Sequence, residues 1–227
     1  MQKLLSHVAI KIDPQLHVKD PLTSAVGQEI IRQSVALLAA EGLEAFTFKK
    51  LAVTLSSTES TIYRYFKNKQ QLMMYLASWY WSMLEWKVVF ASANVIQPKE
   101  KLDKALAVLS APVVGNSETD FFNEQKMHGI VVSESFKAFV VNNLQKKERI
   151  GYFAAYSNLC SRIAEIISEN KKSFKYPKAL AATILEAAHY QIFLQSRLPE
   201  LTDLPKGDNH LYNLLHHLAF TALEDKK

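Results

Sequence analysis

The sequence predicts an all-α protein, and three observations carry that prediction. Apolar residues recur at helical spacing in one segment after another, and no alternating strand pattern occurs outside the short stretch Leu4–Ile12. Residues 47–72, TFKKLAVTLSSTESTIYRYFKNKQQL, spell two short helices joined by a polar turn and followed at once by a third, which is a helix-turn-helix written in sequence. At 227 residues, 25.8 kDa and 48% hydrophobic content, the chain can hold a small domain and a larger one around continuous cores.

Residues 1–22 contain Lys3, Lys11 and Lys19, Asp13 and Asp20, and two prolines, and are expected to form an extended or partly disordered N-terminal arm. The apolar patch from Leu4 to Ile10 is interrupted by Ser6 and His7 with no small-residue cleavage site after it, so a secretory leader is not expected. Ser24 opens the first helix, in which Ile30, Ile31, Val35, Leu37 and Leu38 share helical spacing, and Gly42 is placed to end it.

Thr47 sits where an N-cap belongs, and Phe46 and Leu51 are spaced to close as a hydrophobic staple, so the next helix is expected over about 48–55. Ser56, Ser57 and Thr58 compete for backbone hydrogen bonds and interrupt it. Thr58 then caps a helix over about 59–66, with Glu59 at the positive end of its dipole. On that helix Ile62 and Phe66 share a face and pack inward on Leu51 and Leu55, leaving Glu59, Ser60, Tyr63, Arg64 and Tyr65 directed elsewhere. Asn68 and Gln71 have capping-box spacing and start the third helix.

Charge agrees with this parse. Residues 47–69 hold five cations (Lys49, Lys50, Arg64, Lys67, Lys69) against Glu59, a net of +4, while the whole chain has +5. A phosphate backbone calls for such a concentration, because each neutralised phosphate releases counterions, while side chains of the second helix read base edges in the major groove. The expected DNA-binding residues are therefore Thr47, Lys49, Thr58, Glu59 and Ser60, together with Tyr63, Arg64, Tyr65 and Lys69.

At Thr47, Phe48, Leu51, Ala52, Thr58, Thr61, Ile62, Tyr63, Tyr65, Phe66, Lys69 and Leu72 the chain resembles the TetR family of bacterial transcriptional regulators, whose run T-[LI]-Y-x-[HY]-F-x-[SN]-K-x-x-L it follows over roughly residues 24–72. The resemblance implies that the residues matching Ser60, Tyr63 and Tyr65 touch bases or phosphates and that the lysine matching Lys69 meets a phosphate. Two departures stand out. The family's turn glycine and valine are Ser56 and Ser57 here, so the turn forms without glycine's freedom at positive φ. Glu59 occupies a position often held by lysine or proline; its carboxylate repels phosphates yet can accept from a cytosine N4 amine, altering affinity or sequence preference.

Beyond the motif, a long helix is expected from Asn68 to about Phe90, apolar nearly all round and hence buried on most sides. Further helices are expected from Pro98 to Leu109, within Phe121–Leu144, over Gln145–Asn170, from Lys178 to about Arg197 after Pro177, and from Asp208 to Leu223. The domains read as an arm (1–22), a three-helix helix-turn-helix DNA-binding domain (23–70) and a C-terminal helical ligand-binding and dimerisation domain (71–227). Aromatic and sulfur side chains nominate a ligand pocket at Trp79, Met83, Trp86, Phe121 and Phe122, together with Met127, Tyr152, Tyr156 and His189; their first reading is core packing. The last two helices are apolar on more than one face. Ile184, Ala188, Ile192, Leu211, Leu215 and Leu218 would then form a four-helix interface with a second copy, setting two reading helices about 34–36 Å apart, one turn of DNA; the competing reading is that these faces close the monomer's own core.

Other classes find little support. His210, His216 and His217 with Asp208 have poor spacing for a metal site, and the chain contains no HExxH, glycine-rich phosphate loop or GxSxG elbow, so neither catalysis, a metal nor a cofactor is expected. The uncharged run from Gln70 to Leu84 is 15 residues, short of the roughly 18 a membrane span needs. The lone Cys160 excludes an internal disulfide and fits a reducing cytoplasm. The sequence thus points to a cytoplasmic homodimeric regulator of a DNA operator, most simply a repressor released by a small hydrophobic or amphipathic effector. The alternative is a helical interaction protein of the same fold that has lost sequence-specific DNA binding.

Overall fold

A computed structural model of the chain describes residues 10–111, 123–140, 146–205 and 209–224, with the backbone alone over 134–140 and 146–152. The described residues form nine α-helices and no strand: α1 (Ala25–Ala45), α2 (Phe48–Thr54), α3 (Glu59–Tyr63), α4 (Lys69–Ser92), α5 (Pro98–Ser110), α6 (Glu124–Val140), α7 (Lys146–Asn170), α8 (Pro177–Arg197) and α9 (His210–Leu223). Two compact units result, one from the described chain through Tyr80 with the described part of Val113–Ala155, the other from Trp81–Pro112 with the described part of Tyr156–Lys227.

In the first unit α1 is capped by the Ser24 hydroxyl, which accepts from the Gly27 N–H at 3.2 Å. Its buried stripe is Ile30, Ile31, Val35 and Leu38, and α6 packs against it. Gly42 has φ 76° and ψ 172°, so the regular helix ends at the residue expected although helical turns resume as far as Ala45. The arm expected to be extended behaves differently over its described part. Pro14–Leu16 and Pro21–Thr23 are 3-10 turns, each started by an aspartate side chain (Asp13, Asp20) that accepts a backbone N–H two residues on. Leu16 and Pro21 are buried. Hydrophobic burial, not the modest charge, decides the fate of this segment.

Thr47 caps α2 as expected, accepting from the Lys50 N–H at 3.2 Å. The helix closes in a Schellman motif: the Ser57 N–H donates to the Ala52 carbonyl at 2.9 Å and the Ser56 N–H to that of Val53 at 3.0 Å. This motif requires a left-handed residue, and Ser56 adopts φ 48°. A serine there carries strain of roughly 1 kcal/mol that glycine would avoid, less the extra entropy glycine has in the unfolded chain. Ser56→Gly is accordingly expected to raise stability by about 0.5 kcal/mol in urea melts, and a lowered midpoint would contradict the reading.

Helix α3 is shorter than the spacing predicts, ending at Tyr63 rather than Phe66. Its last turn tightens, with the Tyr65 and Phe66 N–H groups both reaching the Ile62 carbonyl. Thr58 occupies the N-cap position, but its hydroxyl makes no capping bond and instead meets that of Thr61 at 3.2 Å. The expected capping box is half formed: the Gln71 N–H donates to Asn68 Oδ1 at 2.8 Å, while the Gln71 side chain turns to the backbone of Lys67 and Gln15 instead.

In the second unit α9 packs against α5 and α8, and α5 also touches α8. Leu102, Ala105, Leu106 and Leu109 of α5 are buried, as are Ile184, Leu185 and Ala188 of α8 and Leu211, Leu215 and Ala219 of α9. Of the six residues expected at an interface between copies, Ile184, Ala188, Leu211 and Leu215 are therefore core of the chain itself. Only Ile192, half-buried, and Leu218, 37% exposed, keep surface to offer a partner. The added wall is α5, whose apolar stripe covers the extra apolar face of the last two helices.

Candidate nucleic-acid interface

Helices α2 and α3 pack on each other through Leu51, Ile62 and the aromatic ladder Phe46–Phe48–Tyr63. Phe48 and Tyr63 meet edge to face with ring centroids 5.2 Å apart, so a buried ring braces one that is 50% exposed. Around this ring Lys49, Thr58, Glu59, Ser60, Arg64 and Lys67 are exposed. The side chains of Lys49, Arg64 and Lys67 enter no ion pair among the described residues. The arrangement presents an amphipathic ring and three exposed cations to solvent, the equipment for contacting base edges and a phosphate backbone.

Three residues expected at this surface are engaged otherwise. Thr47 is exposed, but its hydroxyl oxygen is occupied as the cap of α2. Tyr65 is 4% exposed, with its hydroxyl in a 2.8 Å hydrogen bond with that of Ser24 and the Lys19 ammonium 5.5 Å from its ring centroid. Leaving the helix at Arg64 rotates this side chain inward, so it packs within the motif and not on the outer surface where it was expected. Lys69 is the larger correction. Its ammonium donates to the carbonyls of Leu43 at 2.8 Å, Glu44 at 3.0 Å and Phe46 at 3.2 Å, which uses all three of its N–H groups on the C-terminal end of α1. Lys50 does similar work beside it, pairing with Glu41 at 2.6 Å and donating to the Ala45 carbonyl at 3.0 Å. Two of the five cations counted toward DNA thus hold the turn after Gly42, where loose carbonyls and the negative end of a helix dipole attract them.

The residues nominated for a ligand pocket fall in both units. In the first, Met127 is fully buried and Trp79 half-buried. In the second, Met83 and His189 are buried, while Trp86 is 44% exposed. Phe121, Phe122 and the Tyr152 side chain lie outside the described residues. Trp81 is outside the nominated set, yet its ring lies 4.9 Å from that of Tyr156 and 4.8 Å from that of His189, both of which are in it. The Tyr156 hydroxyl donates to Glu186 Oε1 at 2.6 Å, and burial together with that carboxylate raises its pKa. His189 is held below the usual imidazole range by burial, and its Nδ1 donates to the Leu185 carbonyl at 2.6 Å. Burial pushes the Cys160 thiol upward as well, against thiolate chemistry. Of the C-terminal histidines, His216 lies 3.8 Å from Asp103 and against Phe220, while Asp208 is outside the described residues. Among the described residues no helix is long and apolar enough to cross a membrane.

Comparison with known proteins agrees with this geometry. Residues 30–76 match the model of the bacterial regulatory proteins of the tetR family. No curated protein sequence matches the chain. Among solved structures, AibR in complex with isovaleryl coenzyme A and operator DNA shares 15% identity over 84% of this chain and 97% of its own, with a TM-score of 0.60. A bacterial regulatory protein in the tetR family from Rhodococcus RHA1 shares 12% over 90% and 100%, with a TM-score of 0.64. SmeT in its triclosan complex shares 15% over 89% and 93%, with a TM-score of 0.63. At these identities the structural likeness speaks for the fold. The segment 30–76, which contains α2, α3 and the residues around Tyr63, is thus similar to the bacterial regulatory proteins of the tetR family, and the described chain shares its fold with these solved structures.

Proposed function

We propose that the chain binds a palindromic DNA operator as a homodimer and represses transcription until a small hydrophobic or amphipathic effector is bound. The observation that carries this reading is the half-exposed Tyr63, braced on Phe48 and flanked by Lys49, Arg64 and Lys67 without ion-pair partners among the described residues. Residues 23–70 would act as the reader and 71–227 as the regulatory part. Self-association would use the outer faces of α8 and α9, where Tyr190 is 56% and Leu218 37% exposed, and not the buried leucines first expected there. An effector would be met by aromatic side chains such as Trp81 and Tyr156; the AibR and SmeT complexes, which hold isovaleryl coenzyme A and triclosan, support a ligand-responsive reading of this fold. Release then requires only that the effector bind one spacing of the reading heads more tightly than the other. The cell interior is the natural site of such work.

The test is in-vitro selection of duplexes from a random library at moderate salt, comparing the wild type with a Tyr63→Ala, Arg64→Ala double variant. A palindromic motif recovered by the wild type alone is the expected result. Enrichment of no motif by a well-folded wild type would replace this reading with that of a helical interaction protein that has lost sequence-specific DNA binding.

A further inference from the structure

We propose that residues Gln15–Ser24 form a strap that positions the reading helix, acting through Tyr65 and Gln71; the inference rests on the DNA-binding reading above. Helix α3 has five residues and no side-chain cap, too short to hold its own direction. The segment after it is pinned from outside. The Val18 N–H donates to the Tyr65 carbonyl at 2.7 Å, and the Ser24 and Tyr65 hydroxyls share a 2.8 Å hydrogen bond. Gln71, 2% exposed, completes the clasp with both ends of its amide: Oε1 accepts from the Lys67 N–H at 2.8 Å, and Nε2 donates to the Gln15 carbonyl at 2.9 Å. Main-chain groups at positions 65 and 67, just beyond the reading helix, are thereby tied to the strap directly or through one side chain.

The strap is seated, in turn, by contacts that tolerate no bulk. Leu16 is fully buried, and the Gln28 side chain donates to the Leu22 carbonyl at 3.0 Å. A Cβ at Gly27 would stand 2.3 Å from the Pro21 carbonyl oxygen and 2.6 Å from its Cα, both backbone atoms that cannot swing aside. Gly27 is therefore the residue that admits the strap to the first turn of α1. Base-edge hydrogen bonds demand close alignment, whereas phosphate contacts by long flexible cations tolerate displacement. Releasing the strap should consequently erode discrimination between sequences while leaving general attraction to DNA in place. Tyr65, Gln71 and Gly27 are positioning residues in this scheme.

The experiment compares the full-length wild type, Gly27→Ala and Gln71→Met. Affinity is measured for the selected operator and for a scrambled duplex over a range of salt, with amide hydrogen exchange followed at Val18 and Lys67. The expected result is faster exchange at both amides and an operator affinity lower by about tenfold or more, the worth of one misaligned base contact. Scrambled-duplex affinity and the salt slope should stay at wild-type values, which a mere loss of folded protein would not produce, since that lowers both affinities together. An unchanged operator-to-scrambled ratio in variants whose amides exchange faster overturns the proposal, and unchanged exchange overturns the clasp itself. Should Gly27→Ala fail to fold, Gln71→Met carries the test; collapse of both would make the strap a folding element and not a positioning one. A wild type that prefers no duplex sinks the DNA-binding reading instead, while the exchange data still report on the clasp.

Discussion

Leu215→Ala is expected to lower folding stability by about 3 kcal/mol at every protein concentration, because the side chain belongs to the chain's own core. Leu215 is 0% exposed on α9, a helix packed on α5 and α8, where Leu102, Leu106, Ile184 and Leu185 are also buried. Truncation removes the transfer free energy of the lost carbons and leaves a void that the surrounding packed helices fill only in part. Leu218→Glu is the matched contrast. Leu218 is 37% exposed, so a charge there should change monomer stability by no more than about 0.5 kcal/mol and act instead on self-association. Urea melts at two protein concentrations, with sedimentation to follow the oligomer, separate the two effects. Wild-type stability in Leu215→Ala combined with a weakened oligomer would return this residue to an interface between copies.

That contrast shows where sequence reading is strong and where it stops. Helical spacing, Pro98 and Pro177 at first turns, Gly42 at a break and Thr47 at a cap each act within a few residues of themselves, and the structure follows them closely. Whether an apolar face meets a partner or another part of the same chain is not a local property. The broad faces of α8 and α9 look like surface in excess of one core only while the stripe of α5 is not assigned to cover them. Tyr65 departs from expectation for a related reason: helical spacing directs it outward only if the helix continues to Phe66, and one tightened turn after Tyr63 rotates it inward. The strap is hidden in the sequence because Pro14 and Pro21 mark a loop without saying what the loop rests on. Gly27 holds the one faint signal, a glycine in a first helical turn that helix propensity alone disfavours.

Lys69→Met is expected to cost about 2 kcal/mol of stability while leaving operator affinity per folded molecule within about twofold of wild type. Charge counting cannot tell a cation that meets phosphate from one that caps a helix, since both sites ask for the same group. Geometry can. The Lys69 ammonium has three N–H groups and three carbonyl partners, on Leu43, Glu44 and Phe46, so no donor remains for a ligand. Methionine keeps the length of the stem but strands those carbonyls at the C-terminal end of α1, with partial exposure to water limiting the loss. Arg64→Ala and Lys67→Ala should behave in the opposite way. Both side chains are exposed and outside any ion pair among the described residues, so their removal should leave the melting curve in place. Each should weaken binding to every duplex and reduce the slope of log affinity against log salt by about 1. Thermal or urea melts beside salt titrations of DNA binding read both quantities on the same three variants. A Lys69→Met protein that melts like the wild type yet loses about 1 from its salt slope would show that the ammonium abandons its carbonyls for a phosphate when DNA arrives.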